Sequence, residues 1–213
     1  MRHVAVIDYG MGNLRSVSKA LETVAENTAV HITADPEQIL NASHIVFPGV
    51  GAIRDCISEL DRLGLDDVIR EAARTKPFLG ICLGMQALLS HSEENNGVNA
   101  LDIIPGQVRH FDTQRPRTEN DFKVPHMGWN EVYQSASHPL WDAIDDASRF
   151  YFVHSFFVDP AQAAVTAATC QYQREFTAAL SRDNLFAVQF HPEKSQSAGL
   201  QLLKNFLNWD GQS

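Results

Sequence analysis

Pro77-Phe78-Leu79-Gly80-Ile81-Cys82-Leu83-Gly84-Met85-Gln86-Ala87-Leu88-Leu89 is the stretch on which the reading of this chain turns. Pro77 to Ile81 is a short apolar run of strand length, and Met85 to Leu89 opens a helix. Between them lies Gly80-Ile81-Cys82-Leu83-Gly84, a nucleophile-elbow pattern with cysteine in the serine position. The glycines permit a tight turn that thrusts the central side chain above the end of the strand. A helix beginning behind it turns amide N–H groups and a positive dipole end toward the thiol, which favours thiolate. A buried structural cysteine beside a glycine turn fits the same five residues equally well, so the function has to be argued from what surrounds them.

Working outward toward the N-terminus, strands alternate with helices. Val4 to Ile7 reads as a buried strand, and Val17, Ala20, Leu21 and Val24 mark an amphipathic helix over Ser16 to Glu26. Ala29 to Thr33 and Ile45 to Phe47 are further strands. Ile53, Ile57 and Leu60 repeat at helical spacing, and another helix covers Asp66 to Arg74. This alternation predicts an α/β fold, a parallel central sheet flanked by helices. Toward the C-terminus the pattern changes. Gln107 to Phe111, Asn130 to Tyr133, Phe150 to Val158, Ala163 to Tyr172, Thr177 to Leu180 and Leu185 to Phe190 read as strands with little helix between, so additional antiparallel strands are expected there. A helix over Gly199 to Trp209 closes the chain. The polar stretch Asp112 to Lys123 reads as a loop within one domain spanning residues 1–213.

Two hundred and thirteen residues suffice for one hydrophobic core, and 44% hydrophobic with 20% charged residues excludes a disordered chain. Lys plus Arg is 17 against 26 for Asp plus Glu, a net charge of −9. Broad binding to a nucleic-acid backbone needs the opposite sign, so no nucleic-acid partner is expected. No run reaches the roughly 20 apolar residues of a membrane-spanning helix, and no secretory leader is visible, so a cytoplasmic location is expected. Cys56, Cys82 and Cys170 are odd in number and far apart, which fits a reducing compartment. Cys56 and Cys170 read as buried structural residues. They lack Cys-x-x-Cys neighbours, and His126, His154 and His191 lack the spacing of a local ligand motif. Neither a metal nor an organic cofactor is expected.

Two other strand ends complement Cys82. His191-Pro192-Glu193, after the strand ending at Phe190, offers a general base and a carboxylate to orient it. Pro48-Gly49-Val50-Gly51 offers backbone donors for an oxyanion, with the amide of Leu83 as the natural second donor. All three lie at the carboxyl edge of the expected sheet, where open α/β folds bind ligands.

Gly80-Ile81-Cys82-Leu83-Gly84-Met85-Gln86 together with Gln189-Phe190-His191-Pro192-Glu193 resembles the class I (triad) glutamine amidotransferase family. Asp8-Tyr9-Gly10-Met11-Gly12-Asn13-Leu14, Val124-Pro125-His126-Met127-Gly128-Trp129-Asn130, Tyr151-Phe152-Val153-His154-Ser155-Phe156 and Lys194-Ser195-Gln196 resemble one branch of it. That branch serves a cyclase making imidazole glycerol phosphate and aminoimidazole carboxamide ribotide in histidine biosynthesis. The resemblance runs over nearly the whole chain and implies a flavodoxin-like fold. It implies that Cys82 is the nucleophile, His191 the proton shuttle and Glu193 its orienter. Val50, Gly51 and Leu83 would hold the oxyanion. Gly49, Gly51, Gln86, Glu94, His154, Ser155 and Phe156 would hold L-glutamine. It further implies a (β/α)8-barrel cyclase subunit as heterodimer partner, with Asn13, Met127, Trp129, Tyr151 and Lys194 at the interface. Alternatives are a glutaminase subunit of another synthase, or a cysteine hydrolase of flavodoxin-like fold.

Overall fold

A computed structural model describes residues 2–111 and 123–212. The N-terminal half runs β1 (Arg2–Ile7), α1 (Leu14–Val24), β2 (Thr28–Thr33), α2 (Pro36–Asn41), β3 (His44–Gly49), α3 (Ile53–Leu63), α4 (Asp66–Thr75), β4 (Phe78–Cys82) and α5 (Leu83–Ala87). Then follow β5 (His91–Ser92), β6 (Val98–Asn99), β7 (Gly106–His110), β8 (His126–Gln134), β9 (Ser148–His154), β10 (Phe156–Pro160), β11 (Thr166–Gln171), β12 (Glu175–Arg182), β13 (Leu185–Val188) and α6 (Gln196–Asn208). The strands join in one sheet ordered β2-β1-β3-β4-β13-β12-β10-β7-β5-β6, with β11 on β12 and the β8–β9 pair on β11. Pairing is parallel from β2 through β13 and antiparallel from β13 through β12 and β10 to β7. The expected mixture of a parallel half and an antiparallel half is what the chain adopts.

Why the central strands read as continuous apolar runs follows from their two covered faces. Successive side chains on a strand point to opposite sides. Val4, Val6, Val46, Leu79 and Ile81 face a core shared with Val17 and Leu21 of α1 and Leu203 and Phe206 of α6. Ala5, Ile7, Ile45, Phe47 and Phe78 face the other core, closed by Ile53, Cys56 and Leu60 of α3 and by Ile69 of α4. Each covered Val, Leu, Ile or Phe side chain contributes roughly 1.5–3 kcal/mol of transfer free energy.

Several expected boundaries move. The short α2 was missed, although Asp35 signals it by accepting a hydrogen bond from Glu37 N–H at 2.9 Å with Pro36 in the first turn. The helix expected from Met85 begins at Leu83, directly behind the cysteine, and lasts five residues. The single strand expected over residues 150–158 breaks at Ser155 into β9 and β10. The last strand stops at Val188, which frees Gln189 and Phe190 from the ladder, and α6 starts three residues earlier than expected. The loop expected over 112–123 lies, up to residue 122, outside the described residues. Among the described residues no helix is long and apolar enough to cross a membrane.

One close approach locks the elbow to its neighbour strand. A Cβ at Gly84 would land on the carbonyl oxygen of Phe47 in β3. We predict that Gly84→Ala costs about 2 kcal/mol or more by overpacking, which lowers the thermal midpoint by roughly 4–8 °C in a chain of this size. A melting curve indistinguishable from wild type would contradict this packing.

Candidate active site

Strand register assembles the site. Pro48 and Gly49 at the end of β3 pair with Ile81 and Cys82 at the end of β4. On the other side of β4, Val188 pairs with Ile81. The chain leaving β13 therefore carries His191 past the same sheet edge that Cys82 and Gly49 occupy. Cys82 itself sits at φ 55°, ψ −108°, a region that costs a side-chain-bearing residue of order 1–3 kcal/mol. The strain orients the side chain out of the strand, and the side chain is only 7% exposed.

His191 and Glu193 form a buried pair. Nδ1 of the imidazole lies 2.9 Å from Oε1 of the carboxylate, and both side chains are essentially excluded from solvent. The carboxylate can only accept, so Nδ1 carries the proton and Nε2 is left for the cavity. Among the described residues Nε2 is buried without a hydrogen-bond partner, as is Glu193 Oε2. Burial opposes a charge on this ring, but the Cys82 sulfur and the Glu193 carboxylate outweigh it and raise its pKa to about 10. These two neighbours thus favour the protonated form of the ring. Cys56 and Cys170 are different: burial pushes each thiol up to about 12, which leaves them unreactive.

A cavity of about 320 Å³ opens over this edge, lined by Val50, Gly51, Cys82, Leu83, Gln86, Glu94, His154, Ser155, Phe156 and His191, with Pro125 and Val153. Every residue expected to hold substrate or oxyanion lines it except Gly49, which lies in β3 beneath. A larger open cleft of about 760 Å³ around Arg109, Thr166 and Arg174 contains none of these groups. The glycine-rich segment is less free than its sequence implies. Tyr9 Oη donates to Pro48 O at 3.0 Å on one side, and Glu94 Oε2 accepts from Ile53 N–H at 3.0 Å on the other. Only Val50 to Ala52 span the interval, with Val50 38% exposed and Gly51 at φ 99°. Glu94 therefore caps the first turn of α3 as well as facing the cavity.

The floor of the site is a chain of amides and imidazoles, buried except for the half-buried Asn130, that sequence reading did not foresee. Asn130 Nδ2 lies 3.3 Å from His126 Nε2, His126 Nδ1 lies 2.9 Å from His154 Nε2, and His154 Nδ1 lies 2.7 Å from Phe156 O. Because a carbonyl only accepts, the tautomers follow: His154 donates from Nδ1, and His126 donates from Nδ1 to His154. Gln86 Nε2 donates to Phe156 O and to Gln189 Oε1, both at 3.1 Å. Gln189 Nε2 in turn reaches Cys82 Sγ at 3.6 Å. Gln189 is two residues before His191, and that spacing was the available signal.

With this geometry in view, similarity to known proteins becomes specific. The model of the glutamine amidotransferase class-I family matches residues 5–209. The chain belongs to the class-I glutamine amidotransferase family. This amidotransferase is 58% identical, over all 213 residues of both chains, to imidazole glycerol phosphate synthase subunit HisH of Nitrosococcus oceani. It is 56% identical to the subunit of the same name in Acinetobacter baylyi over 211 residues, 99% of this chain and 100% of that one. A solved glutamine amidotransferase from Thermotoga maritima shares the fold with a TM-score of 0.65 at 16% identity, covering 100% of this chain and 99% of that one.

Of the residues expected at a partner surface, Trp129, Tyr151 and Lys194 lie together. Met127 is 62% and Trp129 38% exposed on β8, Lys194 is exposed, and Asn13 and Tyr151 are half-buried. Trp129 and Tyr151 meet edge to face at 6.1 Å across the β8–β9 ladder, and Lys194 Nζ sits 5.9 Å from the Tyr151 ring centre. Beneath them the backbone of Tyr151 is tied to the catalytic segment. His191 N–H donates to Tyr151 O at 2.9 Å, while Ser195 Oγ accepts from Tyr151 N–H at 3.0 Å and donates to His191 O at 2.6 Å.

Burial lowers the pKa of His126 to about 4 and of His154 to about 3, the nearby His191 cation adding to the effect at His154. Unfolded, each titrates near about 6.5. Below that pH the unfolded chain binds protons that the native chain refuses, so stability is full above about pH 6.5 and is lost as pH falls toward about 4. Each ring contributes a slope of at most about 1.4 kcal/mol per pH unit. His126→Gln should therefore reduce the pH dependence of urea unfolding between about pH 6 and 5 by close to one proton. An unchanged slope would contradict a buried neutral His126.

Proposed function

We propose that this amidotransferase hydrolyses L-glutamine to glutamate and ammonia and passes the ammonia to a (β/α)8-barrel cyclase subunit. That cyclase would make imidazole glycerol phosphate and aminoimidazole carboxamide ribotide in histidine biosynthesis. The observation that carries the chemistry is the buried His191–Glu193 pair opening on the same cavity as the strained Cys82. The observation that favours this pathway over other ammonia-using synthases is full-length identity of 58% and 56% to two HisH subunits.

The reaction proceeds in two halves. The Cys82 thiolate attacks the side-chain amide carbon, and the oxyanion is met by Leu83 N–H and by an amide of Val50 or Gly51. His191 gives its proton to the departing nitrogen as the C–N bond breaks, and ammonia leaves. Water then attacks the γ-glutamyl thioester while His191 takes its proton. The C–S bond breaks to give glutamate, and the thiolate and imidazolium are restored. Glu193 holds the ring in the required tautomer throughout. A cavity of about 320 Å³ has room for one amino acid, which favours a free amino-acid substrate.

Met127, Trp129, Tyr151, Lys194 and Asn13 are the surface through which the barrel subunit would dock, shielding ammonia from water. Aromatic and methionine side chains are enriched at such interfaces. An oxyanion donor contributes roughly 10²–10³-fold in rate, so a segment that presents it only in the complex makes an effective switch. The short Val50–Ala52 span is the candidate.

Two outcomes are expected in a glutaminase assay. The isolated chain hydrolyses glutamine slowly, and adding the cyclase subunit with its nucleotide substrate raises the rate by at least about 10²-fold. Cys82→Ser abolishes both activities. Equal rates with and without the partner would remove the switch, and activity surviving in the serine variant would remove Cys82 from its role.

A further inference from the structure

Gln189 is wholly buried and lies at the one place where the chain between β13 and the catalytic histidine passes the nucleophile. Its backbone N–H donates to Ala178 O at 2.9 Å, so the residue is pinned although the ladder has ended. Phe190 turns the other way, stacking on Phe150 with ring centres 4.1 Å apart. Side chains two positions apart on an extended segment share a face, so Gln189 and His191 both meet Cys82 while the residue between them anchors the segment in the core.

Which end of the Gln189 amide faces the sulfur is fixed by the network. Phe156 O is an acceptor and nothing else, so the Gln86 amide must present its NH₂ there. The second hydrogen of that NH₂ points at Gln189, which must answer with Oε1. The Gln189 NH₂ is then left for Cys82 Sγ at 3.6 Å. Reversing Gln189 would set two NH₂ groups against each other and an oxygen against the sulfur, with both faults buried. From this chain of forced donors we infer that Gln189 is a built-in hydrogen-bond donor to the Cys82 thiolate, holding the anion and aiming it into the cavity, with Gln86 as the positioning residue that keeps Gln189 the right way round.

The inference rests on the reading of Cys82 as nucleophile and extends it. A neutral donor stabilises the anion without competing with His191 for the departing nitrogen. It also acts at the second half-reaction, when the C–S bond breaks and charge returns to the sulfur. The arrangement gives Gln86 an internal task besides lining the cavity: its nitrogen is committed to Phe156 and Gln189, and its oxygen is what remains for a ligand.

The test is the pH profile of Cys82 alkylation by iodoacetamide in the full chain. Cys56 and Cys170 are wholly excluded from solvent, unlike Cys82 at 7% exposure, and burial pushes each of their thiols up to about 12, so they do not interfere. In Gln189→Met, which removes the donor at similar volume, the alkylation midpoint moves up by about one pH unit, the size expected for a hydrogen bond to a charged group. In Gln189→Glu, an isostere that turns a carboxylate on the sulfur, it moves further. For a measurement that needs no folded variant, the Gln189 side-chain amide resonance in the wild-type chain shifts through the same pH range. Unmoved midpoints in folded variants, or an amide resonance indifferent to the titration, overturn the donor role. Failure of the glutaminase reading would look different. A shifted midpoint in a chain that never releases ammonia would support the donor and sink the glutaminase reading, whereas ammonia release by the wild-type chain with an unmoved midpoint in the variants would do the reverse.

Discussion

Everything at the catalytic edge depends on three parallel strands ending in step. With Gly49 opposite Cys82 and Val188 opposite Ile81, the glycine-rich segment, Cys82 and His191 arrive together although His191 lies more than a hundred positions beyond Cys82 in sequence. A slip of one residue in β4 would turn Cys82 to the opposite face. That register is held by burial, since the strands carry apolar side chains into two separate cores. The packing that makes the fold stable is therefore also what gives the site its geometry.

Against that rigid edge the site stores local strain. Cys82 occupies a backbone region that a cysteine does not choose freely, and α5 begins at the very next residue. The contact of Gly84 with the Phe47 carbonyl leaves the turn no room to relax. Behind it, buried polar groups are arranged so that each donor finds an acceptor from Asn130 through the two histidines to Phe156, and from Phe156 through Gln86 and Gln189 to the sulfur. Such a network admits one arrangement of hydrogens, and it connects β8, which carries the exposed Met127 and Trp129, with the Cys82 sulfur.

How much of this was legible beforehand depended on whether the signal was local. The βα alternation, the turn at Cys82 and the His191–Glu193 pairing were readable because apolar runs, paired glycines and His-Pro-Glu are short-range patterns. The short α2 was missed because six residues give too little periodicity, even though Asp35 and Pro36 mark its start. The break at Ser155 could not be seen in an unbroken run of strand-forming residues. Gln189 and His126 were visible only as letters within motifs. Their importance comes from partners 107 and 28 positions away, and no local pattern encodes a hydrogen bond over such separations.

The most direct measurement of the central claim is a crystal structure of the chain after reaction with a glutamine-analogue electrophile. The account predicts a single covalent bond to Cys82 Sγ, with the His191 ring in contact with the adduct, Gln189 Nε2 on the sulfur and the rest of the analogue filling the cavity between Gly51 and Phe156. Modification at Cys56 or Cys170, or an adduct on Cys82 turned away from His191, would contradict it.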